Sequence, residues 1–588
     1  MNKETPNEND LKKLLHYYQN KKYKEAEEFA LEITKKFPRH QFGWKVLASV
    51  LKVLGKTSDS VIASKKTISI NPRDAESHFN LGNTLREINK SEDAEISYKK
   101  AISLNPKIPE YHNNLGLTFE SLLKFSDAEK EFKKAIELKP NFLESYHNLG
   151  ILLQRAGRFD EAERVFKKIT QVNPVDFLAY SSLGDIFHSL ERYNEAEDSY
   201  RKSIKLNPNY AEAYCNLGNS LRELRRLEDA EICYKKAINI KPNLVEPYRN
   251  LGIVFYELSR LDESEKILKK AIALKPNFAE SYYSLAITLQ KFGKLHDAKK
   301  YLEKSISLRS DYAEAFSDLG MVYKDLGNLD KAIDFSKKAI IINSESSKIQ
   351  FNMGVIFYSN NDINLALKNF KKANLIDPNS KENILAIKAL SIEKKLENIN
   401  IKNNKRVISN FLLYSTPLIL DRKVEPNLIK NIFKMNSINF DKTIDARYGN
   451  GRCSNFFNMF EDGSIQIKNV IEDLTNIMRD EFNSEIFLMD SFFNVYGNGG
   501  GITSHDHLKK FDKDLHLVNQ KYSLVYYLSV GDQNCKEPGI LKLSDPEDEI
   551  LPKNGMIVVI PSGRKHSAVY DGRKDRVMIG LNFYTLNS

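Results

Sequence analysis

"YHNNLGLTFESLLKFSDAEKEFKKAIELKP", residues 111–140, reads as two amphipathic helices followed by a stop. Tyr111, Leu115 and Phe119 lie on one face of the first helix; Ala128, Phe132 and Ala135 lie on one face of the second. Pro140 ends the pair, because proline lacks an amide hydrogen and cannot continue a helix.

The same marks return outward from this stretch every 34 residues. Prolines stand at Pro38, Pro72, Pro106, Pro140, Pro174, Pro208, Pro242 and Pro276; Ser310 and Ser344 take the next two places and Pro378 resumes the series. Glycines keep step at Gly82, Gly116, Gly150, Gly184, Gly218 and Gly252, then Ala286, Gly320 and Gly354. A third series runs through Ala94, Ala128, Ala162, Ala196, Ala230, Ser264, Ala298, Ala332 and Ala366. The glycine and the alanine let paired helices approach closely, and the proline opens the next unit. This pattern resembles the tetratricopeptide repeat, a helix-turn-helix unit of about 34 residues, over roughly residues 8 to 400. The resemblance implies an all-α solenoid of about ten repeats, a right-handed superhelix whose concave groove takes a protein or peptide. "SKENILAIKALSIEKKLENINIKNNK" is expected to be a capping helix running into a polar linker.

Two residues before each small residue stands a polar column: Asn80, Asn114, Asn148, Ser182, Asn216, Asn250, Ser284, Asp318 and Asn352. A primary amide both donates and accepts, so it can pair with any peptide bond. The column is similar to the asparagine ladder of glycosyltransferases that add N-acetylglucosamine to proteins. Asn80, Asn114, Asn148, Asn216, Asn250 and Asn352 are therefore candidate substrate-binding residues. A second reading is that asparagine is simply common at this position of the repeat.

Composition sets limits on the rest. The chain has 588 residues, enough for at least two domains, and its 41% hydrophobic and 28% charged content is that of a globular protein. The net charge of +10 comes from 88 basic and 78 acidic residues interleaved along the helices, which gives solvated faces and no nucleic-acid stripe. Cys215, Cys233, Cys453 and Cys535 form no C-x-x-C pair and no disulfide framework, so a reducing, cytoplasmic setting is expected. No run of about 18 apolar residues predicts a membrane span, and "MNKETPNEND" lacks an apolar signal core.

After about residue 405 the period stops. "SFFNVYG", "KYSLVYYLSV", "GILKLSDP", "GMIVVIPS", "KHSAVYDG" and "RVMIGLNFY" read as short strands, with helices expected near 428–433 and 465–482. Many short strands in about 100 residues suggest a sandwich or jelly roll. In "TSHDHLKKFD", residues 503–512, His505 and His507 would share one strand face and Asp506 the other. His566 follows at the head of a later strand, and Arg576 at the head of the next.

The order of "YGNGGGITSHDH", "LVYYL", "GILKL" and "HSAVY…RVMIGLNF" resembles the iron(II)- and 2-oxoglutarate-dependent oxygenases, in their prolyl-hydroxylase-like branch, over roughly residues 485 to 585. The resemblance implies a double-stranded β-helix, a jelly-roll variant. It also implies His505, His507 and His566 as ligands of Fe(II), with His507 standing where the family has a carboxylate. Arg576 and Tyr527, and more weakly Tyr496, would bind the cosubstrate 2-oxoglutarate; Asn582 shares Arg576's strand face by even spacing and is expected to line the pocket. The reaction implied is hydroxylation of a C–H bond as 2-oxoglutarate becomes succinate and carbon dioxide. His516 is expected in a loop, and Asp512 and Asp514 are alternative carboxylate ligands.

The expected organisation is thus a repeat solenoid over 1–400 and an oxygenase domain over 401–588, with its core at about 485–588. No residue is singled out as the catalytic acid or base. Two other classes remain open: a non-catalytic interaction scaffold with a degenerate β-helix, and a cupin-like sugar-modifying metalloenzyme.

Overall fold

The computed structural model of the protein describes residues 5–398 and 417–586, apart from 426, 436, 441–446, 455–458, 460–464, 506 and 545–546. It divides into two compact units, residues 1–247 and 248–588.

The first unit is built of helix pairs of 34-residue period. In the pair quoted above, a helix at Pro109–Ser121 is followed by one at Phe125–Leu138. Gly116 decides how closely they meet: a Cβ built on it would lie 2.6 Å from the Phe132 ring. The ring of the second helix therefore lies on the bare backbone of the first, and Phe132 is fully buried. Gly82 with Tyr98, Gly150 with Phe166, Gly184 with Tyr200 and Gly218 with Tyr234 repeat the arrangement. Burying each such ring contributes roughly 1.5–3 kcal/mol, and the alanines of the third series are likewise fully buried at Ala94, Ala128, Ala162, Ala196 and Ala230. Pro140 sits in the turn before the next helix, Leu143–Arg155.

One device escaped the sequence reading. The turn inside each pair holds one residue in the left-handed region, as at Leu123 (φ 58°). There Lys124 N–H donates to the Phe119 carbonyl at 2.8 Å and Leu123 N–H to the Glu120 carbonyl at 3.0 Å, closing the helix end. The position recurs at Lys21, Gly55, Asn89, Gly157, Glu191 and Arg225 of this unit. Residue types so mixed leave no mark that a sequence pattern could find.

The second unit starts with the same helix pairs. Its last repeat pair, Ser347–Ser359 with Ile363–Ile376, is followed by a single helix, Lys381–Asn398. Leu385, Ala386 and Leu390 bury this helix against the array, as a cap requires. The linker expected after it, and the expected boundary at 400/401, lie outside the described residues. No strand occurs among the described residues 40–380.

Beyond residue 417 the structure is rich in antiparallel β-sheet. The strands are β1 (Leu418–Asp421), β2 (Ser437–Asn439), β3 (Arg447–Tyr448), β4 (Gly451–Ser454), β5 (Glu485–Tyr496), β6 (Gly500–His505), β7 (Lys521–Ser529), β8 (Leu541–Leu543), β9 (Asp548–Ile550), β10 (Met556–Pro561), β11 (His566–Tyr570) and β12 (Arg576–Leu586). One sheet has the order β1-β10-β7-β12-β5-β4-β2 and the other β3-β6-β11-β8-β9. All six quoted strand stretches fall on strands, and the two expected helices are observed at Leu428–Ile432 and Ile465–Phe482.

Period-two alternation places the two faces of the larger sheet. Leu524, Tyr526 and Leu528 of β7 pack with Ile467, Val470, Ile471 and Leu474 of the covering helix. Val525 and Tyr527, between them in sequence, pack instead with Leu541, Leu543, Tyr570 and Met578. Both faces are covered, so "KYSLVYYLS" is buried almost throughout, the polar Lys521 and Ser523 included. A further shared core joins this region to the repeat helices: Met489, Leu515, Leu517, Tyr584 and Leu586 pack with Met353, Phe357, Leu385 and Leu390. The division between compact units therefore falls at 247/248, well before the change in sequence character.

Gly150→Val tests the packing of the repeat. The added side chain meets the Phe166 ring at 2.6 Å, and overpacking of this kind costs about 1–3 kcal/mol. Calorimetry should show a lowered unfolding midpoint; an unchanged midpoint would remove the glycine from that role.

Candidate metal centre

His505 is the last residue of β6 and His566 the first of β11, and the two are paired across the ladder. Their ring centroids are 4.4 Å apart. His507 lies beyond the end of β6, so strand parity does not orient it as the sequence reading expected. Its ring nevertheless comes to 4.9 Å from that of His505 and 5.1 Å from that of His566. The three candidate ligand atoms lie within 4.8 Å of one another. Imidazole–metal bonds of about 2.1 Å span at most about 4.2 Å, so small ring rotations would close the set on one ion.

Other bonds prepare the imidazoles for ligation. His505 Nδ1 lies 2.9 Å from the Thr503 carbonyl. That contact makes Nδ1 the donor and leaves Nε2 for a metal. Burial pushes the His507 imidazolium pKa down to about 2, with His566, His505, Lys521 and Arg447 adding to the effect, so the ring is neutral at physiological pH.

A buried ion pair does for His507 what the strand does not. Lys521 Nζ, at the head of β7, donates to the His507 carbonyl at 2.6 Å and to Asp512 Oδ2 at 2.9 Å. Asp512 also accepts from Lys509 N–H at 2.6 Å and from the Tyr584 hydroxyl. Lys521 is 1% exposed, and Asp512 and Tyr584 are 0% exposed. Burial lowers the Lys521 pKa, with Asp512 opposing it, and burial followed by the Asp512 carboxylate raises that of Tyr584. The His507 N–H donates to the Ser562 carbonyl at 3.1 Å, closing the loop onto the strand region.

Asp512 is thus a structural anchor and, like Asp514, stands outside the histidine cluster. Asp514 pairs with Lys324 of the repeat helix Ala313–Asp325 at 2.6 Å, and Lys510 pairs with Asp325 at 2.7 Å. His516, in the following turn, packs on Tyr358 with ring centroids 5.6 Å apart. The histidine loop is therefore seated on the repeats of its own unit.

The cluster opens on a cavity of about 450 Å³ lined from both sheets. Arg576 is 1% exposed and lines it. One Nη donates to the Gly539 carbonyl, while Nε and the other Nη are buried without a hydrogen-bond partner. Its guanidinium carbon lies 4.9 Å from the centre of the Tyr527 ring. Tyr527 is 1% exposed, and burial raises its pKa, with Arg576 opposing. Tyr496 lines the same cavity beside Asn494, whose side-chain nitrogen lies 3.4 Å from the Tyr496 hydroxyl. Asn582 also faces the cavity but is engaged: its oxygen accepts from Ser523 at 2.6 Å and its nitrogen lies 3.4 Å from Asp490. The sequence reading passed over Lys521 and Arg447, because an isolated cation beside a strand carries no pattern.

The asparagine column lies elsewhere. Asn114 donates to Asn83 at 2.8 Å, Asn148 to Asn113 at 3.0 Å, Asn216 to Asp185 at 2.9 Å and Asn352 to the Ser317 hydroxyl at 3.0 Å. Each bond reaches the preceding repeat, so one amide hydrogen serves the stacking of units. Asn250 is buried, and Asn80 is half-buried beside a separate cavity of about 460 Å³ with Lys45, Ser49 and Glu87.

Comparison with known proteins identifies the helical part. Models of the tetratricopeptide repeat match residues 63–96, 131–164 and 267–300, residues 109–142, 245–278 and 313–345, and residues 211–244. A further TPR-repeat model matches residues 184–224. Residues 63–345 are a tetratricopeptide-repeat array. No curated protein sequence matches the chain. Among solved structures, the APC/C hetero-tetramer Cut9-Hcn1 aligns at 13% identity and a TM-score of 0.35, over 64% of this chain and 95% of that one. Yeast Tom70 aligns at 17% identity and a TM-score of 0.37, over 67% and 96%. Pseudomonas aeruginosa pilF aligns at 20% and 0.32, over 35% and 95%. Among the described residues no helix is long and apolar enough to cross a membrane, and no disulfide joins the four cysteines.

Replacing Lys521 by Met leaves the Asp512 charge buried without its cation. Breaking such a pair from one side costs about 3–5 kcal/mol. Urea unfolding should show this loss in Lys521→Met, and a smaller one in the double variant Lys521→Met/Asp512→Asn. Equal stabilities for Lys521→Met and the wild type would strip the pair of its anchoring role.

Proposed function

We propose that the protein is a 2-oxoglutarate- and Fe(II)-dependent dioxygenase that hydroxylates a protein or peptide recruited by its repeat array. The supporting observation is the pairing of three convergent imidazoles with Arg576, a buried guanidinium with two unused donors, in one cavity. Two sheets ordered β10-β7-β12-β5 and β6-β11-β8-β9 favour a double-stranded β-helix as their frame.

His505, His507 and His566 would hold the iron, all three as neutral nitrogen donors. When bound, iron with 2-oxoglutarate supplies the oxidising chemistry: oxygen, a C–H bond and 2-oxoglutarate give the alcohol, succinate and carbon dioxide. The chain's own work is binding and exclusion. Arg576 meets the far carboxylate of 2-oxoglutarate with its free donors, the planar two-pronged contact that guanidinium provides. Tyr527 underlies that guanidinium and restricts its movement. Ile502, Leu508, Val525, Leu541 and Met578 line the remaining walls and keep water out. The seat of the histidine loop on Lys324 and Asp325 puts the cluster beside the repeats, whose family binds protein partners, so substrate recruitment and chemistry would share one unit. Cysteines without disulfides suit a cytoplasmic setting.

The experiment is anaerobic loading of the full chain with Fe(II), then exposure to oxygen with labelled 2-oxoglutarate and no added substrate. Slow release of labelled succinate is expected. Arg576→Ala should lose 2-oxoglutarate binding while keeping iron, and His566→Ala should lose both. If the wild-type protein binds iron but neither binds nor consumes 2-oxoglutarate, the dioxygenase assignment fails and an interaction scaffold replaces it.

A further inference from the structure

One repeat of the first unit lacks its ring. In the helix pair Ala75–Glu87 and Ser91–Leu104, the Tyr98 ring lies on Gly82 and packs on Phe79 with centroids 5.7 Å apart. Tyr111 of the following helix packs on the same Phe79 at 4.7 Å. One repeat earlier the pair is Gln41–Val53 and Thr57–Ile70. There, 34 residues back, Ala48, Lys45, Ser64 and Ser77 stand for Gly82, Phe79, Tyr98 and Tyr111. Three rings give way to a lysine and two serines, and the glycine that makes room for a ring is an alanine. The vacated seat is the cavity of about 460 Å³ beside Asn80, within the roughly 300–1,000 Å³ of ligand pockets.

The lining hydroxyls show what the seat accepts. Ser60 donates to the Ala48 carbonyl at 2.7 Å, Thr67 to the Ala63 carbonyl at 2.9 Å, Ser77 to Asp74 Oδ2 at 2.7 Å and Thr84 to the Asn80 carbonyl at 3.0 Å. A hydroxyl has one proton, so each of these offers only lone pairs to the cavity. Ser64 is 4% exposed. Its hydroxyl and the Asn80 side-chain amide line the cavity and are bonded to none of the described residues. Charge is matched at the rim: Lys45 pairs with Asp74 and Glu76 at 3.2 and 2.6 Å, and Lys52 with Glu87 at 2.9 Å. The cavity therefore suits an uncharged group that donates a hydrogen bond. In the next repeat the group in this place is a phenol, whose hydroxyl donates from Tyr98 to Asn83 at 2.7 Å.

We propose that this cavity takes a tyrosine side chain of a bound partner peptide, which supplies the ring missing from the repeat. The ring fills the seat between Ala48 and Ser64, and its hydroxyl donates to the lone pairs at the floor and accepts from Ser64. The Asn80 amide is left to pair with the peptide's backbone, whereas those of Asn114, Asn148, Asn216 and Asn352 bond to the preceding repeat. Tyrosine suits the seat because it joins a large apolar ring to a single polar tip. The inference goes beyond the dioxygenase reading: it concerns the first unit and a recognition step that needs no metal.

The test uses the full chain, without metal, and three blocked peptides: acetyl-Gly-Gly-Tyr-Gly-Gly-amide and its counterparts with Phe or Ala in the centre. Binding is read by ligand-observed NMR. The Tyr peptide is expected to bind about three- to tenfold more tightly than the Phe peptide, the worth of one neutral hydrogen bond, and the Ala peptide more weakly than either. Ala48→Gly/Ser64→Tyr gives the repeat its own ring; it should keep the thermal midpoint of the wild type or raise it, and lose the Tyr peptide. Ser64→Ala leaves the seat open without its hydroxyl, and should bind the Tyr peptide several-fold more weakly while holding the Phe peptide unchanged. If the filled double variant does not fold, Ser64→Ala decides. Equal binding of the three peptides overturns the proposal, and so does a Phe peptide that binds as tightly as the Tyr peptide. A Tyr preference that survives both variants places the phenol elsewhere and overturns it too. Binding of none of the three leaves solvent as the occupant and ends the proposal, while turnover of 2-oxoglutarate at the histidine centre stands or falls separately.

Discussion

The Lys521–Asp512 ion pair is the contact on which the candidate centre depends. His505 and His566 owe their positions to a β-ladder in which they are direct partners, with a register shift just beyond them between His566 and Ala568. His507 has no ladder. Its place is set by an ammonium group inside the protein that grips its carbonyl, and that ammonium is tolerated only because a carboxylate, a tyrosine and a backbone amide complete the network around it. Such a network is stable when complete and costly when broken, which suits a loop that must hold one imidazole in register with two others.

The same loop ties the two kinds of architecture together. Asp514 and Lys510 pair with Lys324 and Asp325, and Leu515 and Leu517 enter a core shared with the last repeat helices. Exposed ion pairs contribute little, but the Lys324 side chain is only 7% exposed and that of Asp514 14%. The repeats of this unit are consequently part of the support of the histidine cluster.

Much of this was legible in the sequence. The repeat is visible because each of its three marks answers one steric demand: no side chain under an aromatic ring, a small one at a helix contact, and no amide hydrogen at a stop. The left-handed turn residue answers a demand just as strict, yet Lys21, Asn89, Leu123, Glu191 and Arg225 meet it as well as Gly55 does, because the helix-end hydrogen bonds outweigh a modest backbone cost. The strands of the β region were readable from alternation, including Arg576 and Asn582 on one face. The site was readable only in part. Parity suggested that His507 would face with His505, whereas the strand ends between them and long-range bonds decide its direction. Asp512 looked like a spare ligand because a carboxylate five residues from a histidine carries no sign of the lysine that neutralises it. The asparagine column looked like a ladder for ligands, and its amides are partly engaged between repeats, a contact 31 or 35 residues away that only the stacked structure reveals.

The central claim is that three imidazoles from β6, its following loop and β11 bind one metal ion. X-ray absorption at the cobalt edge of the full chain, loaded with one equivalent of Co(II), measures this most directly. The account predicts first-shell nitrogen at about 2.1 Å with outer-shell scattering from three imidazole rings, falling to two in His507→Ala. A spectrum with one imidazole or none, or one unchanged in His507→Ala, would contradict it.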